Sequence, residues 1–221
     1  MEFFIKEGAD LETGNPLAWA LCSRIRTALA IFKRYQDRFP SFREQVNIAL
    51  RYHCKEGNLK WVSLMLWAGG DPYAEGADSP DDIDSEDYRN ALELAALYGH
   101  FDVFKLKAIR LSPEHPGADK LLGNACFNAK PELLKMLLEK GFSPRYLEDK
   151  GSSLINSLLS RMSWNFNLWT RTREEKDIDG HDAREFIKMI HMLARSGAKW
   201  EPRDKGEINY IRRSLLKMRS D

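Results

Sequence analysis

An excess of charge of either sign is missing from this chain: 34 lysines and arginines face 33 aspartates and glutamates in 221 residues. So even a balance offers no global attraction for nucleic acid or an anionic membrane. Long apolar runs are missing too, and none reaches the roughly 18–20 residues that cross a bilayer. The opening MEFFIKEGAD is partly acidic and lacks the basic-then-apolar layout of a secretory signal. Cysteine is scarce. Cys22, Cys54 and Cys126 are odd in number and widely spaced, with no Cys-x-x-Cys pair. That argues against a disulfide framework or a zinc site and for reduced thiols in a cytoplasmic protein.

Catalytic signatures are absent as well. The sequence has no Gly-x-x-x-x-Gly-Lys loop, no Gly-x-Ser-x-Gly elbow and no His-Glu-x-x-His helix. Its five histidines are scattered. His53 adjoins Cys54, but neighbouring helical positions point about 100° apart, which argues against a Cys–His pair. The stretch DIDGHD (Asp177–Asp182) looks like a metal loop, yet the ligand spacing of an EF-hand is not there. The expectation is a protein that is not an enzyme and holds no metal or cofactor.

What is present is a period. Residues 48–72 (IALRYHCKEGNLKWVSLMLWAGGDP), 90–113 (NALELAALYGHFDVFKLKAIRLSP) and 120–144 (KLLGNACFNAKPELLKMLLEKGFSP) align without gaps over their first two dozen positions. Each predicts a short helix, a Gly, Asn or Ala turn, and a second apolar helix. Gly69 and Gly141 suit left-handed caps past the second helix. Pro72, Pro113 and Pro144 then turn the chain away. Helix pairs of this length cannot bury their own apolar faces, so they must stack on copies of themselves.

The units resemble ankyrin repeats. NALELAALYGH (Asn90–His100) and MLWAGGDP (Met65–Pro72) are the best local matches to the family pattern. Its Thr-Pro-Leu-His signature is lost, and Arg51, Glu93 and Gly123 stand where the histidine would be. His100 matches the turn histidine of the family and is expected to be structural. The resemblance implies an all-α fold, an ankyrin-like solenoid of stacked antiparallel helix pairs with irregular loops and insertions. It covers one domain over 1–221: a partial repeat at 1–14, repeats at about 15–45, 46–89, 90–119, 120–150 and 151–202, and a terminal helix at 207–219. In this register FFIKEGAD aligns with LMLWAGGD, so the chain starts at the close of a second helix; a fragment or a partner-covered start is expected. Cys54 and Cys126 share the position of Ala96, where stacking demands a small residue and buried cysteine serves as one. Cys22 falls one step out of register.

Insertions in repeat scaffolds map to exposed loops, where function concentrates. EGADSPDDIDSED (Glu75–Asp87) holds seven acidic residues and no basic one. It reads either as a solvated loop or as a patch for a basic partner through Asp81, Asp82 and Asp84. Calcium-loop spacing around a glycine is lacking. The insertion at 160–185 alternates Trp164, Phe166 and Trp169 with polar residues before Arg171 and Arg173. Exposed Trp and Arg dominate binding hot spots, and aromatic–arginine interleaving also suits single-stranded nucleic acid. Such a cluster more often pins its own loop to the scaffold or extends the first helix; protein contact comes next, and nucleic acid is the least favoured. In the basic tail, Ile208, Ile211, Leu215 and Met218 would form one apolar stripe on a capping helix.

The resemblance thus implies a non-enzymatic protein–protein interaction module with an unidentified protein partner and no membrane association, of bacterial type. The alternative is a regulatory or targeting segment of a larger effector or defence protein whose activity lies elsewhere. Oligomeric state stays open.

Overall fold

The computed structural model describes residues 2–81, 88–115, 118–144, 153–159, 161, 183–200 and 209. Among them every regular element is helical, as the all-α class requires; the one strand-like pairing is an isolated antiparallel bridge between Gly76 and Arg89. The chain divides into two compact units, Met1–Arg110 and Leu111–Asp221. That division falls inside the segment read from the sequence as the repeat 90–119.

The first unit contains α1 (Glu2–Lys6), α2 (Pro16–Cys22), α3 (Thr27–Tyr35), α4 (Ser41–Lys55), α5 (Leu59–Trp67), α6 (Ala91–Leu97) and a 3-10 turn at Phe101–Lys105. Helix α4 is its hub. It packs on α2 to one side, on α6 to the other, and on its own partner α5, while α3 lies on α2 and the 3-10 turn on α6 and α5. Two layers result: α2, α4 and α6 in one, α3, α5 and the 3-10 turn in the other. Position in the stack dictates composition. On α3, Ala28, Leu29, Ile31 and Phe32 make a single buried stripe. On α4, with three neighbours, burial takes in Phe42, Val46, Ile48, Ala49, Leu50 and Cys54 and also the polar Gln45, Arg51 and His53. Its start at Ser41 lies within the range 15–45 that the sequence assigns to the preceding repeat.

The repeat register reappears in the backbone. Helices α4, α6 and α7 end at 55, 97 and 127, and two residues later Gly57, Gly99 and Ala129 take φ of 68°, 78° and 48°. The next amide then bonds back to the helix, from Asn58 to His53 O, His100 to Ala95 O and Lys130 to Ala125 O, at 2.8–2.9 Å. Second helices close the same way. Gly69 and Gly141 follow α5 and α8 at φ of 92° and 90°, with Gly70 bonded to Met65 O and Phe142 to Leu137 O. This is the left-handed helix cap that satisfies the last carbonyls. After α1, Gly8 takes φ of 83° and its N–H bonds Ile5 O at 3.3 Å.

The third pair departs from expectation. Its second element is not an apolar helix but the 3-10 turn, and the chain is extended again at Leu106. Asn58 accepts the Trp61 N–H at the start of α5, whereas His100, at the same repeat position, makes no side-chain cap and bonds Lys55 O. Lys130, the third residue at that position, makes no side-chain cap either, but Pro131 follows it at the first turn of α8. Phe101, Val103 and Phe104 are weak helix formers besides, so an uncapped start is not carried through.

The second unit holds α7 (Ala118–Phe127), α8 (Pro131–Glu139), a helical stretch at 154–159 and α9 (Ala183–Arg195). Helix α8 packs on α7 and on α9. Pro131 sits at the first turn of α8, where no N–H is needed. Phe186, Met189 and Leu193 put the buried stripe of α9 at helical spacing. Each large apolar side chain so buried contributes roughly 1.5–3 kcal/mol. Past α9, Gly197 repeats the left-handed cap at φ of 87°. Of the expected terminal helix, only Asn209 lies among the described residues, and it is helical.

All three cysteines are unpaired and buried, and loss of solvation pushes each thiol up to about 12. Cys54, Ala96 and Cys126 are each at most 1% exposed, as a small-residue stacking position demands. Among the described residues no helix is long and apolar enough to cross a membrane.

Candidate interaction surface

The polar side chains of α4 fall into two groups. Gln45 and His53 reach back to α2. Asn15, which should cap α2, is itself left-handed and makes no side-chain cap. Gln45 supplies the missing acceptor from the next repeat: its Oε1 receives the N–H groups of Leu17 (2.8 Å) and Ala18 (3.2 Å). Its Nε2 donates to Leu11 O and Ser41 Oγ, both at 3.0 Å, so the buried amide is fully used. At the other end of α2, His53 Nε2 lies 3.1 Å from Leu21 O. A carbonyl can only accept, so Nε2 carries the proton and Nδ1 is bare; Nδ1 is buried without a partner. Burial holds the His53 pKa below the ordinary histidine value, and its ring stacks on Trp61 at 5.3 Å. One repeat later His100 does the analogous work, with Nε2 2.9 Å from Lys55 O at the end of α4. Both histidines are structural.

The second group holds a loop. Glu44, Asn47, Arg51 and Lys55 follow one another at intervals of three and four residues, on one side of α4. The segment 71–78 runs along that polar stripe. Asn47 Oδ1 accepts the Asp71 N–H at 2.9 Å. Arg51, fully buried, donates from Nε to Ala77 O (2.6 Å) and from Nη1 to Ala74 O (3.0 Å), and its Nη2 pairs with Glu44. Lys55 Nζ meets Asp78 Oδ2 at 2.9 Å; this bond raises the Lys55 pKa. Gly76 is needed where it stands, because a Cβ there would come within 2.7 Å of the Arg51 guanidinium.

The root of the acidic connection is therefore fixed to the stack, and a freely solvated loop does not describe residues 71–78. Glu75 within this root and Asp81 beyond it are exposed, and the Asp81 N–H donates to Ser79 Oγ at 3.3 Å. Exposed Tyr88 stands on the returning chain, and exposed Tyr98 at the end of α6 lies 5.8 Å from Lys55 Nζ. One acidic group, Asp78, and one aromatic ring, Tyr98, thus meet at Lys55.

Of the residues singled out from the sequence, Asp81 is described and belongs to this surface. Asp82, Asp84, Trp164, Phe166, Trp169, Arg171 and Arg173 lie outside the described residues. The loop-holding stripe was not foreseen: positions 44, 47, 51 and 55 are polar, but so are 43, 45 and 53 on the same helix. Arg51 and Glu93 share one repeat position and both organise backbone. Glu93 donates its N–H to Asn90 Oδ1 (2.8 Å) and accepts from Asn90 Nδ2 (3.0 Å), which starts α6. Among the described residues no group of three His, Cys, Asp or Glu side chains could hold a metal ion. Comparison with family models, with curated proteins and with solved structures finds no match.

Proposed function

We propose that this chain is a non-enzymatic protein–protein interaction module, an irregular ankyrin-type stack, which presents an acidic and aromatic surface to a basic partner in the cytoplasm. One observation carries the proposal: the polar stripe of α4 spends a fully buried arginine on the root of an acidic loop. Fixing the root lowers the entropy a partner must overcome when it orders the acidic residues. Glu75 and Asp81 then act as steering charges and Tyr88 and Tyr98 as contact area. The register of left-handed caps supports the repeat reading, since each cap ends a helix at the same repeat position. Three buried, unpaired thiols fit a reducing compartment.

The test is affinity capture from the native cell with the wild-type chain and with Glu75→Lys/Asp81→Lys, followed by mass spectrometry. A basic protein retained by the wild type and lost by the variant supports the proposal. Equal retention by both removes the loop as the contact surface. Turnover of a substrate by the purified chain ends the non-enzymatic reading.

A further inference from the structure

A second surface lies in the other layer of the first unit, away from the acidic loop. Helices α3 and α5 run side by side in the same direction. Arg26 and Lys60 flank one end of the space between them, and seven residues on in each helix Lys33 sits over the Trp67 ring at 3.5 Å. Between these ends is an open groove of about 600 Å³ lined by Arg26, Leu29, Lys60, Ser63 and Leu64. Seven helical residues span roughly 10 Å, or two turns. Leu29 and Leu64 make the floor apolar, and Ser63 Oγ is turned to its own helix by a 2.8 Å bond to Leu59 O. Arg26 and Lys60 are exposed, and neither forms an ion pair with a described residue. Trp67 is 60% exposed.

We infer that this groove docks a two-turn amphipathic helical segment of a partner protein, with leucine-type side chains on the floor and carboxylates facing Arg26 and Lys60. Charge complementarity selects the occupant. The rim offers uncommitted cations and no acid among its lining residues, so a basic or neutral helix leaves them unpaired while an acidic one engages both. The spacing of the two rims matches an apolar stripe at i, i+3, i+4 and i+7. An exposed tryptophan beside a lysine supplies an aromatic anchor at the far end. This inference does not rest on the acidic loop, which faces a partner of opposite charge.

The probe is a fluorescein-labelled helical peptide with Leu at i, i+3, i+4 and i+7 and Glu elsewhere, titrated with the full chain by fluorescence anisotropy. Saturable binding that weakens as NaCl rises is expected, with a loss of roughly tenfold in Arg26→Glu/Lys60→Glu from two exposed charge contacts. Both positions are exposed, so an unchanged helical circular dichroism spectrum checks the fold. Arg26→Gln/Lys60→Gln, which removes charge without reversing it, loses less. Undiminished binding by the charge-reversed variant overturns the inference. So does equal binding of the same peptide with Lys for Glu, or of one with its leucines scattered around the helix. Self-association of the chain that the charge-reversed variant abolishes overturns it as well, since a second copy then occupies the groove.

Discussion

Replacing Arg51 by methionine keeps most of the buried volume and removes every polar contact the guanidinium makes. Two contacts are charged bonds to the carbonyls of Ala77 (2.6 Å) and Ala74 (3.0 Å). Bonds of this kind contribute about 1.5–3 kcal/mol each. The third partner, Glu44, has a side chain 52% exposed, so it recovers its hydration once released and adds about 1 kcal/mol at most. Ala74 is half-buried and its carbonyl can turn to water, while Ala77 is buried and its carbonyl cannot without moving the loop. Against these losses stands the desolvation of the guanidinium, which the methionine no longer bears. The expected net cost is about 2–4 kcal/mol, a large share of the ~5–15 kcal/mol typical of a whole domain. Urea unfolding followed by circular dichroism measures it, and limited proteolysis measures the consequence: cleavage between Asp71 and Asp81 accelerates in Arg51→Met. The reasoning is refuted if the midpoint moves by less than the equivalent of ~0.5 kcal/mol and the cleavage rate is unchanged.

Three further outcomes follow from the same contacts. His53 is held neutral in the fold with its pKa below the unfolded value near 6.5, so its contribution is constant above that pH and is lost as pH falls below it. Unfolding free energies from urea titrations should decline by up to about 1.4 kcal/mol per pH unit below 6.5 until the folded value is passed; an equally steep decline in His53→Gln counts against this. Gln45→Ala orphans the buried N–H groups of Leu17 and Ala18 and should cost roughly 2–3 kcal/mol, read as a lower melting temperature. Gly57→Ala places a Cβ against the His100 ring at φ of 68°; a loss above ~1 kcal/mol is expected, and in a double-mutant cycle His100→Ala should recover the collision share but not the backbone share. Strict additivity would show that the ring moves aside freely.

The ends of the helices were legible in the sequence because a cap is a local event. Gly69 and Gly141 announce left-handed residues, and the gap-free register placed the turns at 57, 99 and 129 before any contact was known. Burial of Cys54 and Cys126 was legible for the same reason, from a shared small-residue position. What escaped was the work of side chains between repeats. Gln45 caps a helix 27 and 28 residues earlier, and Arg51 serves carbonyls 23 and 26 residues later. Neither link has a sequence signature, because each depends on how the stack brings remote segments together. His100 shows both sides: its place at a turn was readable, but its bond to Lys55 O was not, and a second helix was expected where a 3-10 turn forms.

The fastening of residues 71–78 to α4 also separates two design problems that are joined in most loops. Asp78 is tied to Lys55 on the outgoing strand of chain, and Arg89 is tied to Gly76 on the return. Whatever lies between Asp78 and Arg89 closes on anchors that its own sequence does not have to build. Closure entropy grows slowly, by about 0.6 kcal/mol for each doubling of length. A foreign epitope or a second binding peptide grafted between these anchors should therefore leave the helical stack nearly as stable as before, which makes this connection a natural graft site.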